Sequence, residues 1–213
     1  MRRLQRLSEL VAEDLEERVG PVLLALALFV AGVIFGALAV GSLGEADRRE
    51  TMAAVTDLFR GLARGERPLP PLVALGAAAR DYVRLILFYW GLGLSVVGSV
   101  VALGETFLRG FAAGFAAGFL GAELGWRGVA YSAAALLPQG LLTVPGLAAA
   151  AGGTVHFALL LAGGQARKSR SAFYAELSRY TRWMGLSLLL LLCAAAVEAY
   201  AAPVLMGLAG RIP

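Results

Sequence analysis

Five residues place ionisable or amide side chains inside apolar stretches: Glu105, Arg109, Gln139, His156 and Glu198. Glu105 precedes Arg109 by four positions, the favourable order for a helical ion pair, expected near a membrane surface between spans 2 and 3. Glu198 stands in VEAYAAP, 15 residues after Trp183 within an apolar run. A carboxylate that deep in hydrocarbon costs about 3 kcal/mol on insertion scales. It must be protonated or partnered. Arg109, Gln139, Thr143 and His156 are the polar groups available to it, so a buried network of Glu198, Arg109, Gln139, His156 and Glu105 is expected. Such a network is either structural or a relay or substrate site, and no second deep carboxylate is evident to receive a proton. One His and one Cys make no metal site. The Gly-x-Ser-x-Gly, His-Glu-x-x-His and P-loop patterns are absent from the sequence. No enzyme, catalytic residue, metal or cofactor is expected.

Whatever positions these groups works in lipid. Apolar residues make up 59% of the 213, charged residues 16%, and mean hydropathy is +0.73. Soluble domains carry about 25% charged residues. A helix needs about 20 apolar residues to cross roughly 30 Å of hydrocarbon, and several runs here supply them. The net charge of +4 rests on 18 Arg and one Lys. Basic residues flanking apolar spans orient a membrane protein rather than bind nucleic acid. Cys193 lies within an apolar run and reads as a packing residue.

Residues 1–19 put Leu4, Leu7, Val11 and Leu15 at helical spacing among charges, which predicts an amphipathic surface helix. The remainder, 20–213, reads as one helical transmembrane domain. Span 1 is expected at 20–43, with Gly32 and Gly36 four apart. Residues 44–82 form an interfacial amphipathic loop, with Met52, Val55, Phe59 and Leu62 on one face. Span 2 is expected at 83–103, span 3 at 106–125 and span 5 at 183–206. Residues 128–164 are apolar for 37 positions, about 55 Å as one straight helix. That is too long for a bilayer, so Pro138 and Pro145 are expected to break span 4 or make it re-entrant, with two short crossings as the alternative. The fold class is therefore an all-α polytopic membrane protein with about five transmembrane helices, the fourth broken or re-entrant, plus two amphipathic interfacial helices. Basic residues nearly balance across the two sides and lean towards a cytoplasmic N-terminus with the first loop outside.

FLRGFAAGFAAGFLG, at 107–121, is the most patterned stretch. Gly110, Gly114 and Gly118 share one stripe, and Phe111 and Phe115 belong to a second stripe about 100° round the helix. Each Gly costs about 1 kcal/mol against Ala in a helix. Close docking of another helix on the small-residue groove offsets that cost in a membrane. The docked helix is expected within the chain, with a homodimer seam as the alternative.

Several segments together resemble the stage II sporulation protein M family: VAGVIFGALAVGSL, FLRGFAAGFAAGFLGAELGW, LLPQGLLTVPGLAAAA and VEAYAAP, in this order. The family's Leu-Pro-Gln with a later Pro falls on Pro138, Gln139 and Pro145. Its deep Glu-Ala-aromatic falls on Glu198, Ala199 and Tyr200, and its Arg-Gly-Phe on Arg109, Gly110 and Phe111. The resemblance implies a multi-pass plasma-membrane protein of spore-forming bacteria, at the septal or engulfing membrane. It implies a non-enzymatic scaffold recruiting two peptidoglycan-degrading partners, stage II sporulation proteins D and P, which thin the septal wall for forespore engulfment. The alternative is a permease-like transport subunit with a midplane polar site around Glu198 and His156.

Overall fold

The computed structural model of the chain describes residues 2–46, 48–53, 70–164 and 169–209. Five long helices carry it: α1 (Arg2–Ala39), α2 (Pro71–Leu92), α3 (Val96–Leu124), α4 (Trp126–Ala162) and α5 (Arg170–Ala209). No strand occurs among the described residues. Four segments are long and apolar enough to cross a membrane: Arg18–Ser42, Val96–Leu124, Leu136–Ala162 and Arg170–Tyr200.

Packing fixes the direction of each helix. Gly110 of α3 meets Phe29 of α1, Gly114 meets Val33, and Gly118 meets Ala37. Both numbers rise together, so α1 and α3 are parallel. The chain must therefore recross between them, and α2 is the long helix described there. Its 22 residues rise about 33 Å, enough to cross. Pro71 opens it at the first helical position, where a missing N–H is harmless. α4 and α5 run antiparallel, with Gly153 against Trp183 and Met184, and Gly146 against Leu190 and Leu191. The all-α polytopic expectation holds, with four segments apolar enough to cross and α2 joining the parallel α1 and α3.

Several boundaries differ from expectation. The turn between α2 and α3 falls at residues 93–95, not near Glu105, so residues 96–103 belong to the third crossing. Residues 71–82, expected on the surface, are part of α2. Residues 170–182 extend α5 instead of forming a loop. α1 continues through Gly20 and Pro21 with no break from the N-terminal stretch. Residues 48–53 are helical, while Val55, Phe59 and Leu62 lie outside the described residues; of that face only Met52 is described.

The largest correction concerns span 4. α4 runs unbroken from Trp126 to Ala162 through Pro138 and Pro145, so neither proline breaks the helix. Each proline removes one helical N–H and leaves a carbonyl four residues earlier, at Ala134 or Leu141. Transmembrane helices tolerate this because neighbouring helices and local adjustment satisfy the freed groups. The excess length lies in the residues before Leu136, which precede the apolar window. Pro138→Ala and Pro145→Ala are therefore expected to keep full helicity and to raise stability, by up to about 3 kcal/mol each. Thermal unfolding in detergent followed by circular dichroism checks this, and loss of helicity in either variant contradicts it.

The turn at Gly125 has φ +59°, a conformation that L side chains rarely adopt. It places α4 directly back along α3, and Gly128 sits against the Leu120 carbonyl. The core lies between α2, α4 and α5, around Leu85, Ile86, Tyr89, Leu147, Phe157, Tyr180, Met184 and Leu191. Outward faces are apolar, as lipid requires: Leu23, Leu24, Val30, Ile34, Phe35 and Leu38 of α1 are all exposed.

A polar level at mid-height

The antiparallel registers bring polar residues from four helices to one level. Leu120 meets Gly128 across the α3–α4 turn; eleven residues further along each helix stand Arg109 and Gln139. Gly146 meets Leu191 across α4–α5; seven residues further stand Gln139 and Glu198. From α2, the Tyr82 hydroxyl is 3.3 Å from Thr143 Oγ1. This level is about 15 Å from either end of α2 and about 20 Å from either end of α3, at 1.5 Å per residue.

Within it, Arg109 Nε donates to Glu105 Oε1 at 3.0 Å. The ion pair expected from spacing is made, at mid-helix rather than at a membrane surface. Gln139 Oε1 is buried without a hydrogen-bond partner among the described residues. Glu198 is exposed rather than buried. The reason is local. The inner stripe of α5 runs Tyr180, Met184, Ser187, Leu191, Ala194 and Ala195, all buried. The stripe continues to buried Ala199, and Glu198 stands one position off it, on the exposed side.

His156 does not join this group. It lies 17 residues along α4 from Gln139, about 25 Å of helical rise. A single midplane site shared by Glu198 and His156 does not form. Asp81 and Tyr82 were not foreseen as members. Their signal was present in RPLPP, where a proline can open a helix at Pro71 and carry 80–82 into a span.

A second polar set lies towards the end of α2. The Tyr180 hydroxyl donates to the Tyr89 carbonyl at 2.8 Å, with the Trp90 carbonyl at 3.2 Å. The Tyr89 carbonyl also accepts from the Gly93 N–H at 3.0 Å, so the hydroxyl adds to a helix end that the backbone already partly closes. Tyr89 donates to Thr106 Oγ1 at 2.9 Å, and Thr106 in turn donates to the Ala102 carbonyl. Trp90 Nε1 donates to Thr181 Oγ1, and Trp183 Nε1 to the Ala149 carbonyl. Arg18, 2% exposed, places its guanidinium 5.0 Å over the Trp183 ring, a cation–π contact. Near the opposite membrane face Arg48 pairs with Glu123, tying the helical residues 48–53 to the end of α3.

The glycine stripe is occupied within the chain. A methyl group on Gly114 would lie 2.6 Å from the Val33 carbonyl carbon, and one on Gly110 would lie 3.0 Å from that of Phe29. Reciprocally, Cβ atoms on Gly32 and Gly36 would reach the backbone nitrogens of Phe111 and Phe115 at 2.9 and 2.8 Å. Each helix thus docks its small residues on the other's backbone. The stripe is not open to a second copy. Phe111 and Phe115 stack along α3, with ring centroids 6.3 Å apart.

A helical bundle with four segments long and apolar enough to cross a membrane, a polar level and, among the described residues, no metal-ligand cluster defines a multi-pass membrane protein. The chain belongs to the stage II sporulation protein M family, whose model matches residues 25–203. No curated protein and no solved structure matches it.

Proposed function

We propose that this protein is a non-enzymatic membrane scaffold that recruits peptidoglycan-degrading partners, in the manner the family resemblance implies for stage II sporulation proteins D and P. The observation that carries the reading is family membership across nearly the whole chain. In this reading the protein sits in the plasma membrane, at the septal or engulfing membrane of a sporulating cell. Its N-terminus is cytoplasmic and residues 43–70 are extracytoplasmic. The partners act on the wall, so their docking surface faces outward, and the apolar face of Met52, Val55, Phe59 and Leu62 supplies it. The Arg48–Glu123 pair holds the start of that segment against the bundle.

The test is co-purification from native membranes. Replacing Met52, Val55, Phe59 and Leu62 together by Ser is expected to abolish capture of the two partners while the protein still accumulates in the membrane. Undiminished capture by that variant contradicts the assigned surface. Failure of the wild-type protein to capture either partner contradicts the scaffold reading itself.

A further inference from the structure

We propose that the outward face of α2 around Arg80, Asp81 and Arg84 is the contact surface for a second copy of this chain. The starting observation is that α2 crosses the bundle yet is not among the segments apolar enough to cross a membrane. Its centre carries three charges. The Asp81 and Arg84 side chains are 74% and 71% exposed and 3.9 Å apart, and Arg80 is also exposed. The inner face of α2 is committed elsewhere: Leu85, Ile86 and Tyr89 are buried in the core.

Lipid does not cover such a face at low cost. Arginine side chains can reach upward along a helix, but an aspartate side chain cannot span the roughly 15 Å to either interface. Exposed Glu198 lies at the same level as Asp81, by the α4–α5 register and the Tyr82–Thr143 contact, so the level presents two guanidinium groups and two carboxylates within about one helical turn. Copies inserted in the same direction, related by a two-fold axis along the membrane normal, bring each residue against residues of its own depth. A patch confined to one depth therefore meets itself. This patch is self-complementary: Arg84 of each copy meets the carboxylates of the other, and the charges balance without help from another molecule. Exposed Leu72, Val73, Leu87 and Phe88 extend apolar contact above and below. The surface is distinct from the glycine stripe, which α1 fills.

The proposal is independent of the scaffold reading, and its test needs no partner protein. With Cys193 replaced by Ser, Leu87→Cys, on the outward face of α2 and 63% exposed, is cross-linked in native membranes. Leu141→Cys, on α4 and 75% exposed, is the control. Leu87→Cys is expected to give a covalent dimer and Leu141→Cys none. Arg84→Asp is expected to weaken dimer formation about tenfold or more. The swap Asp81→Arg with Arg84→Asp is expected to restore it, which a merely misfolded variant does not do. The proposal is overturned if Leu87→Cys stays monomeric, or if the swap fails to restore a dimer that Arg84→Asp lost. Rapid labelling of Leu87→Cys by a charged aqueous thiol reagent also overturns it, because water would then be the occupant of this face.

Discussion

Gly114→Val is expected to separate α1 from α3 and to be among the most damaging single changes in the chain. The obstacle is backbone. A Cβ at Gly114 would press on the Val33 carbonyl group, and no rotamer relieves that contact. Overpacking in a well-filled core costs about 1–3 kcal/mol, and this site belongs at the upper end because two helix axes must move apart. Gly110, Gly32 and Gly36 face backbone atoms in the same way, so one displaced crossing disturbs the whole seam. Gly104 lies on the same helix with nothing within 4 Å of an added methyl. Gly104→Ala is therefore expected to be neutral or to stabilise by up to about 1 kcal/mol. Thermal midpoints of the two variants in one detergent separate close helix docking from simple glycine abundance. Equal, small effects would mean that α1 does not lie on α3.

Tyr180→Ala is the second large effect. The ring is fully buried and stacks on Phe157 with centroids 4.5 Å apart and planes 3° from parallel. Its hydroxyl caps the end of α2, and its ring lies against Gly93 at the turn into α3. Truncating a buried aromatic costs about 3–5 kcal/mol. Tyr180→Phe keeps the stack and removes only the donor, for about 1 kcal/mol, because the Tyr89 carbonyl still accepts from the Gly93 N–H. The ordering wild type, Phe, Ala in unfolding midpoint checks both contributions. If Phe and Ala were equally damaging, the capping bond would outweigh the stack, contrary to the geometry.

The crossings were legible in the sequence because lipid imposes long apolar runs. Gly110, Gly114 and Gly118 were legible as a docking groove because three helical glycines are costly unless something approaches closely. Two things were not legible. The boundary between the second and third crossings was drawn at Glu105 because charges usually mark helix ends in membranes. Here Glu105 and Arg109 pair within one helix at mid-height, and the turn falls at Gly93 to Ser95, which carries no charge at all. Pro138 and Pro145 read as breaks because proline removes a helical donor, but local sequence does not reveal the support that neighbouring helices give. The polar level depends on register between helices far apart in sequence. Tyr82 reaches Thr143, and Asp81 comes level with Glu198, only once α2 is known to cross. The separation of His156 from Glu198 likewise follows from the unbroken length of α4.

The account rests on α2 crossing the bilayer despite the three charges at its centre. Single cysteines at Ala53, Leu94, Trp126 and Ser169, each in a Cys193→Ser background, tested with a membrane-impermeant thiol reagent on oriented vesicles, address this directly. Leu94 and Ser169 are expected to label from one side, and Ala53 and Trp126 from the other. Labelling of Ala53 and Leu94 from the same side would mean that α2 does not cross, and the parallel α1–α3 pair could not exist.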